Sequence, residues 1–311
     1  MGRLKTLVTG GAGFIGSHVV RALLERGHEV VVLDDLSTGK RENLPASGSL
    51  TLKVGDVADP SAVAAALSGC SAFVHLAAIA SVERSVQDPL LTHRTNLQGS
   101  IQLFDEAARQ GVKRGLYASS AAVYGDSPNL PLSEDEPPRP LTPYAIDKLA
   151  GEQYLAYYHR SGRLNGTAFR FFNVFGPRQD PSSPYSGVIS IFLDRAKSGA
   201  PITVFGDGEQ TRDFVYVGDV VAALMAALEH QGEVPELPVY NVARGEGVSL
   251  LELLDIVGGL PGVAAPLNIG HGEPRLGDIR HSLANSGRLR GALDWLPKTS
   301  VAEGLAAILA N

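Results

Sequence analysis

The 311-residue sequence contains a single cysteine, Cys70. One cysteine excludes an internal disulfide and a zinc site built from cysteines. We expect Cys70 to be a small, buried apolar residue. The eight histidines and the acidic residues show no metal-ligand spacing, so the sequence predicts no metal site.

The sequence also lacks a basic cluster and a long apolar run. Its formal net charge is −6, and nucleic-acid binding requires a patch of Lys and Arg, so we expect no nucleic-acid partner. No apolar run approaches the ~20 residues of a membrane span. The N-terminal residues run almost directly into an apolar strand and do not resemble a secretory signal. We therefore expect a cytoplasmic protein without membrane contact.

Strand and helix patterns alternate through the first half of the chain, which is typical of an α/β fold with a parallel sheet. The predicted strands cover residues 4–9, 29–34, 50–57, 72–78, 115–120 and 165–175. The predicted helices cover residues 14–26, 61–67, 95–109 and 143–160. Residues 128–143, rich in proline and turn formers, are predicted to be a loop.

The pattern changes at about residue 176. Short strands are predicted at 202–205, 214–217 and 239–242, and helices at 219–230, at 250–257 and close to the end of the chain. Residues 178–187 are rich in Pro and Ser and predict a loop over a site. This half is predicted to be a smaller, mixed α/β domain.

A glycine-rich segment follows the first predicted strand. Gly10, Gly13 and Gly16 are spaced G-x-x-G-x-x-G, and Phe14 and Ile15 begin the next helix. Such glycines permit a tight turn, close approach of the backbone to a pyrophosphate, and close helix packing. The segment predicts a Rossmann dinucleotide site, with the pyrophosphate on the helix N-terminus.

Asp34 ends the second predicted strand, where an acidic residue accepts hydrogen bonds from the adenosine ribose. Asp34 and the adjacent Asp35 would repel the 2′-phosphate of NADP, so NAD is favoured, although Lys40 and Arg41 nearby weaken this argument. Asp56-Val57 and Ala77-Ala78 end later strands. The first pair is predicted to meet the adenine, and the second lets the cofactor pass close to the backbone.

Tyr144 and Lys148 lie four residues apart on a predicted helix and therefore share one face. An ammonium near a phenol lowers the pKa of the tyrosine, which suits Tyr144 to act as a general base. Ser119 and Ser120 end the preceding predicted strand, at the edge of a parallel sheet where ligands bind. These residues together predict redox chemistry at a hydroxyl-bearing carbon.

Three segments resemble the extended short-chain dehydrogenase/reductases that act on nucleotide sugars, the group that includes the UDP-hexose 4-epimerases. They are Thr9-Gly10-Gly11-Ala12-Gly13-Phe14-Ile15-Gly16, Ser119-Ser120-Ala121-Ala122-Val123-Tyr124-Gly125 and Tyr144-Ala145-Ile146-Asp147-Lys148. The resemblance implies that Tyr144 and Lys148 are catalytic, that Ser120 assists them, and that Ser119, Asn96 and Phe171 line the cofactor site.

The resemblance also implies a UDP-sugar substrate. The expected contacts are Ser120, Asn173, Val188, Phe205, Arg212, Arg275, Asp278 and Ser282. The implied domains are an NAD-binding Rossmann domain at 1–175, to which some later segments return, and a mainly nucleotide-sugar-binding domain at 176–311. Members of the family commonly dimerise through two helices, which correspond here to residues 95–109 and 149–159.

Ala121 and Ala122 occupy positions where related dehydratases carry an Asp-Glu pair and decarboxylases a Glu. Neither alanine transfers a proton, so 4-epimerisation is favoured. In related epimerases the position of Ser282 determines the space around C2 of the sugar, and a small residue leaves room for an N-acetyl group. The sequence therefore predicts interconversion of UDP-GlcNAc and UDP-GalNAc. A UDP-glucose/UDP-galactose or UDP-uronate 4-epimerase remains an alternative, and a non-catalytic dinucleotide sensor is a remoter one.

Overall fold

The computed structural model describes residues 3–180, 187–230, 232, 236–263, 266–274 and 279–310. The strands within these ranges are β1 (Lys5–Thr9), β2 (Glu29–Asp34), β3 (Leu50–Val54), β4 (Ala72–His75), β5 (Arg114–Ser120), β6 (Asn165–Phe171), β7 (Asn173–Phe175), β8 (Ile202–Phe205), β9 (Thr211–Tyr216), β10 (Val239–Val242), β11 (Gly247–Ser249) and β12 (Ile269–Gly272).

The helices are α1 (Phe14–Glu25), α2 (Pro60–Leu67), α3 (Val82–Gln87), α4 (Pro89–His93), α5 (Gly99–Arg109), α6 (Pro143–Arg160), α7 (Val188–Ser198), α8 (Val217–Glu229), α9 (Leu250–Gly258), α10 (Gly287–Leu293) and α11 (Val301–Leu309). A π-helical turn at Arg94–Gln98 leads into α5, and a 3-10 turn at Ala121–Tyr124 follows β5.

Seven parallel strands form the central sheet in the order β3-β2-β1-β4-β5-β6-β10. The strand order reverses between β1 and β4, where a doubly wound sheet opens a crevice for ligands. The Rossmann architecture predicted from the alternating pattern is confirmed. Strand β10 brings the chain back to this sheet after it has left at Phe171.

Helices cover both faces of the central sheet. On one face α1 and α8 pack over the valines of β1 and β2, and on the other α2, α5 and α6 enclose Phe73, Leu103, Phe104 and Leu155. Helix α6 lies very close to β5, because a Cβ atom at Gly151 would come within 2.3 Å of the Tyr117 hydroxyl oxygen. This close packing fixes α6 against the end of β5.

The second half of the chain adds two small sheets, β11-β9-β7 and β8-β12. A separate apolar cluster joins them to α7, α9 and α11 through residues such as Phe175, Phe192, Phe214 and Leu253. In β7, Asn173 pairs in parallel register with Phe214 of β9. Strand β7, which directly follows the last residue of β6, therefore connects the central sheet to the β11-β9-β7 sheet.

Several predicted boundaries are wrong. The strand predicted over 165–175 is two strands in different sheets, because the chain turns away from the central sheet at Phe172. The strands predicted over 50–57 and 72–78 end at Val54 and His75. Beyond His75, the Leu76 N–H still donates to the Thr9 carbonyl of β1, and the Thr9 hydroxyl oxygen accepts hydrogen bonds from the N–H groups of Leu76 and Ala77. Most of the predicted loop over 178–187 lies outside the described residues.

Cys70 is buried, as predicted, and burial raises the pKa of its thiol to about 11. Within the described ranges, no helix combines the length and the apolar character that crossing a bilayer requires. The same residues include no group of three or more His, Cys, Asp or Glu side chains arranged to hold a metal ion.

Candidate active site

The glycine loop connects β1 to α1 and leaves no room for side chains. Gly10 has a φ of +67°, and a Cβ atom there would lie 2.8 Å from the Ala77 nitrogen. A Cβ atom at Gly16 would lie 2.1 Å from the Gly10 oxygen. Gly13 precedes the helix without a side-chain cap, so the N–H groups of the first turn, which includes Phe14 and Ile15, suit an anionic ligand.

Asp34 lies at the end of β2 beneath this loop. Its two carboxylate oxygens accept hydrogen bonds from the Ala12 and Leu36 N–H groups, both at 2.9 Å. Burial raises the pKa of Asp34. The adjacent Asp35 is exposed and binds the Ser37 N–H and hydroxyl. Asp34 therefore shapes the pocket edge and keeps further lone pairs for a ribose, whereas Asp35 faces solvent.

The other predicted cofactor residues lie along the neighbouring strand ends. Asp56 forms an ion pair with Arg94 at 2.7 Å, and Val57 is buried. Ala77 and Ala78 are half-buried beside the glycine loop.

Asn96 is 1% exposed, and its amide exchanges two hydrogen bonds with the backbone of Ile79, at 2.8 and 3.0 Å. It positions the segment after β4. Phe171, the last residue of β6, is buried in the core beside the site. Direct contact of these residues with NAD stays a prediction.

A buried polar chain behind the loop was missed by sequence reasoning. The His75 imidazole lies 2.7 Å from the Thr9 hydroxyl and 2.8 Å from the Ser100 hydroxyl, which donates to the Asn96 carbonyl. Since Ser100 donates onward, His75 donates from Nε2 and accepts from Thr9 at Nδ1. Burial lowers the pKa of His75 to about 3. No sequence spacing relates these residues: the pairing of β1 with β4 brings Thr9 to His75, and the packing of α5 brings Ser100 to them.

Tyr144 and Lys148 lie on the first turns of α6 beside the end of β5. The Lys148 ammonium donates to the Ala118 carbonyl at 2.7 Å and lies 5.9 Å from the centre of the Tyr144 ring. The Ser120 hydroxyl oxygen accepts the Ala122 N–H at 3.2 Å, and the Ser120 side chain lies near enough to the Tyr144 phenol to lower its pKa. The three predicted catalytic residues therefore meet at one point.

The electrostatics of this group differ from the prediction in one respect. We expect Lys148 to lower the pKa of Tyr144, but burial raises it, and the nearby Ser120 hydroxyl offsets this only in part. Burial also lowers the pKa of Lys148 to about 8, opposed by Asp147. The sequence argument considered the charge partner and not the loss of water around both groups.

Ser119, predicted as a cofactor contact, has its hydroxyl engaged elsewhere. It donates to Oε1 of the buried Glu152 at 2.5 Å. Its side chain therefore faces α6, and only its backbone remains to meet a cofactor.

The predicted substrate residues come from separate segments that approach one another. Asn173 is exposed at the start of β7, next to β9, which carries the half-buried Arg212. Ser282 is half-buried and donates its N–H to the Thr211 carbonyl at 3.1 Å. Arg212 and Ser282 thus lie on adjacent backbone segments. Phe205 ends β8, and Val188 begins α7.

Arg275 and Asp278 lie outside the described residues. A further pair near Ser282 was missed: Arg280 binds Asp207 through two hydrogen bonds of 2.7 and 2.9 Å. This exposed pair connects the loop after β8 to the Ser282 segment, and Arg280 lowers the pKa of Asp207 to about 2.

These features fit an NAD molecule. The glycine loop packs its own backbone too closely for side chains at Gly10 and Gly16, the uncapped α1 N-terminus suits a pyrophosphate, and Asp34 ends β2, a position at which an acid suits a ribose. Tyr144 and Lys148 lie at the carboxyl end of β5, on the same edge of the sheet as the glycine loop.

Comparison with known proteins agrees with this geometry. Residues 6–243 match the model of the NAD dependent epimerase/dehydratase family. A UDP-glucose 4-epimerase of Mycolicibacterium smegmatis is 41% identical over 97% of this chain and 96% of its own length.

Two solved structures are similar throughout. The Methanobrevibacter ruminantium UDP-N-acetylglucosamine 4-epimerase, in complex with UDP-N-acetylmuramic acid, has a TM-score of 0.94, 37% identity, and coverage of 100% of this chain and 98% of that one. The Thermus thermophilus UDP-glucose 4-epimerase, in complex with NAD, has a TM-score of 0.90, 40% identity, and coverage of 99% and 98%. The chain therefore belongs to the NAD dependent epimerase/dehydratase family, the extended short-chain dehydrogenase/reductases that its motifs resemble.

Proposed function

We propose that this protein is an NAD-dependent UDP-sugar 4-epimerase that interconverts UDP-GlcNAc and UDP-GalNAc. The observation that carries the proposal is the meeting of Ser120, Tyr144 and Lys148 at the carboxyl end of β5, on the sheet edge that bears the glycine loop. The 4-epimerase names of its relatives support the reaction type.

In this mechanism Tyr144 removes the proton of the C4 hydroxyl group. Lys148 stabilises the phenolate form of Tyr144, and the Ser120 hydroxyl donates to the developing oxygen at C4. NAD, held by the glycine loop and Asp34, would supply hydride transfer at C4. The keto sugar rotates in the site before it is reduced on its opposite face, and Tyr144 returns its proton to the C4 oxygen, so the configuration at C4 is inverted. No net oxidation occurs.

The residues after Ser120 favour this reaction over elimination or decarboxylation. Ala121 and Ala122 form the 3-10 turn directly beyond β5, and neither carries an acid. A UDP-glucuronic acid decarboxylase of Arabidopsis thaliana is 32% identical to this chain, so overall similarity does not separate the two reactions, and the proposal of epimerisation rests on the absence of an acid at these two positions.

The N-acetyl preference depends on Ser282. Its side chain is small and half-buried, and its backbone is fixed to Thr211 of β9. The UDP-N-acetylglucosamine 4-epimerase of M. ruminantium supports this preference, whereas the UDP-glucose 4-epimerases of M. smegmatis and T. thermophilus support the alternative substrate pair. We further propose that residues 176–311 mainly bind the nucleotide sugar, and that Asn173, Phe205 and Arg212 hold its uridine diphosphate.

A homodimer is part of the proposal. Exposed apolar side chains cover adjacent helices: Val86 of α3 and Leu90 of α4 are 61% and 82% exposed, and Ile146, Tyr154 and Tyr157 of α6 are 52%, 43% and 54% exposed. A second copy would remove this surface from water. Sedimentation of the wild type and of Leu90→Glu tests the dimer: a wild type that is monomeric at micromolar concentration contradicts it.

Cytoplasmic location stays a prediction.

Tyr144→Phe tests the reaction. Purified protein is incubated with UDP-GalNAc, and the anomeric proton signals of both sugars are followed by NMR. We expect the wild type to reach an equilibrium mixture without consuming added NAD or NADH, and Tyr144→Phe to lose roughly 10²- to 10⁴-fold in kcat. Tyr157→Phe, an exposed tyrosine on the same helix, is the matched control. Stoichiometric NAD consumption, or normal turnover by Tyr144→Phe, would contradict the mechanism.

A further inference from the structure

Glu152 is a buried carboxylate on the helix of the reactive pair, and neither the motifs nor the mechanism uses it. It is 2% exposed. We propose that Glu152 is a positioning residue of the epimerase: it fixes Ser119, and through Ser119 the adjacent Ser120, against the helix that carries Tyr144 and Lys148. The proposal rests on the proposed function, in which Ser120 and Tyr144 act on the sugar.

Tyr144, Lys148 and Glu152 are spaced four residues apart and share one face of α6. Each meets one of the last residues of β5. Lys148 donates to the Ala118 carbonyl at 2.7 Å, Glu152 accepts from the Ser119 hydroxyl at 2.5 Å, and Tyr144 lies near the Ser120 side chain, which lowers its pKa. Three successive turns of the helix therefore hold three successive residues of the strand. Glu152 provides the third attachment.

The partner of Glu152 shows that this attachment is rigid. The Arg170 guanidinium on β6, 5% exposed, donates to Oε1 at 3.0 Å and to Oε2 at 2.8 Å. With Ser119, the carboxylate thus accepts three hydrogen bonds. A buried ion pair contributes little net stability, because both charges lose their water. The ion pair does, however, fix the position of the Glu152 carboxylate between β5, β6 and α6.

The network continues to the other side of Ser120. The Arg170 guanidinium lies 4.8 Å from the centre of the Tyr124 ring, and Tyr124 belongs to the 3-10 turn that follows Ser120. The Tyr124 hydroxyl donates to Asn241 at 2.6 Å. The Asn241 amide donates to the carbonyls of Leu132 and Asn285, at 2.9 and 3.2 Å. Glu152 is therefore connected to both flanks of Ser120 and to the segment of Ser282.

Ser119→Ala removes the attachment while leaving the Glu152–Arg170 ion pair intact. Because misplacement of a reacting group by about 1 Å costs up to ~10²-fold in rate, we expect kcat for UDP-galactose or UDP-GalNAc to fall ~10- to 100-fold. KM should change less than about twofold, since the contacts that bind the substrate equally in the ground state and in the transition state are retained. Ser119→Thr, which restores the hydroxyl, should recover most of kcat. Thr6→Val, at a buried strand hydroxyl without a partner, is the matched control.

A second readout does not depend on turnover. The phenolate of Tyr144 is titrated by difference absorbance, with the spectrum of Tyr144→Phe subtracted. In Ser119→Ala the pKa of Tyr144 should rise, because the adjacent Ser120, which lowers it, is no longer held in place. Lys148, Asp147 and Glu152, the charged groups on this face of the helix, are unchanged in the variant.

The two readouts separate the failure of each proposal. If the wild type epimerises no UDP-sugar, the proposed function fails, and the Tyr144 titration alone decides the role of Glu152. If Ser119→Ala keeps its kcat and its Tyr144 titration and only its melting temperature falls, Glu152 is merely structural and the positioning role is overturned.

Discussion

The two sides of the candidate site are built in different ways. The cofactor side consists of backbone and buried groups: glycines without space for a Cβ atom, the 7% exposed Asp34, and the enclosed His75. The sugar side consists of half-buried or exposed side chains, such as Arg212 and Asn173, that come from separate segments. Its exposed Arg280 is paired with Asp207 within the protein.

This difference indicates that the two ligands are recognised by different means. A pocket made of backbone is complete before the dinucleotide arrives, so its affinity depends on shape. The charged side chains of the proposed sugar side already have partners within the protein, Thr211 for Arg212 and Asp207 for Arg280, and they remain partly in water, so a ligand that excludes water strengthens their interactions. Substitutions should therefore abolish cofactor binding on one side and change substrate selectivity or affinity on the other.

The largest effect is expected on the cofactor side, from Gly16→Ala. The added Cβ atom would lie 2.1 Å from the Gly10 oxygen and must displace the loop backbone. We expect NAD to be lost during purification and kcat to fall more than ~10³-fold, because every step depends on the bound cofactor. Cofactor content is measured by absorbance after denaturation.

Gly291→Ala is the matched control, because a Cβ atom at this helical position meets nothing within 4 Å. It should retain NAD and full activity. If Gly16→Ala retained stoichiometric NAD, the cofactor side would not depend on its backbone shape.

The next effect is expected on the sugar side, from Arg212→Ala. Loss of a charge-assisted hydrogen bond to the diphosphate should raise KM for the UDP-sugar by roughly 10- to 100-fold while NAD stays bound. Arg195→Ala, at an exposed arginine of α7, serves as the control. An unchanged KM, or loss of NAD from Arg212→Ala, would remove the distinction between the two sides.

His75 predicts an acid sensitivity of the cofactor side. Its pKa is about 3 in the folded protein and 6.5 in the unfolded chain. As the pH falls below 6.5, His75 binds a proton in the unfolded chain but stays neutral in the folded protein. Unfolding free energy therefore falls with acid, by about 1.4 kcal/mol per unit once the pH is well below 6.5, and by roughly 1.5 kcal/mol between pH 6.5 and 5.

His75→Gln should flatten this dependence, because glutamine does not titrate. Urea unfolding at the two pH values measures it. Equal acid slopes for the wild type and the variant would show that His75 is protonated in the folded protein.

The smallest effect is expected from Arg280→Ala. The Arg280–Asp207 pair is solvent-exposed on both partners, so the melting temperature should change by no more than about 1 °C. KM for the UDP-sugar should change less than about fivefold, in keeping with a surface pair. A large loss of stability would show that the sugar side is as rigidly preformed as the cofactor side.

Residues whose function depends on local spacing were predictable. Gly10, Gly13 and Gly16 lie in one turn, and Tyr144 and Lys148 lie on one helical face, so their placement is visible in the sequence. Strands β2, β8 and β10 and helix α6 have the predicted bounds.

Residues that act through distant partners were not predictable. Glu152 meets Arg170 and Ser119 only because α6 packs on β5 and β6, and His75 meets Ser100 only across the sheet edge. The direction of the Tyr144 pKa shift was also missed, because it depends on burial, which only the packed structure defines.

The measurement that tests the account most directly compares UDP-GalNAc with UDP-galactose in the wild type and in Ser282→Tyr. Values of kcat/KM for both sugars are determined by NMR or by a coupled assay. We predict that the wild type epimerises both and prefers the N-acetylated sugar, and that Ser282→Tyr loses the N-acetyl activity while retaining that on UDP-galactose. Equal loss on both sugars would contradict the assigned role of Ser282, and a wild type inactive on both would contradict the proposed function.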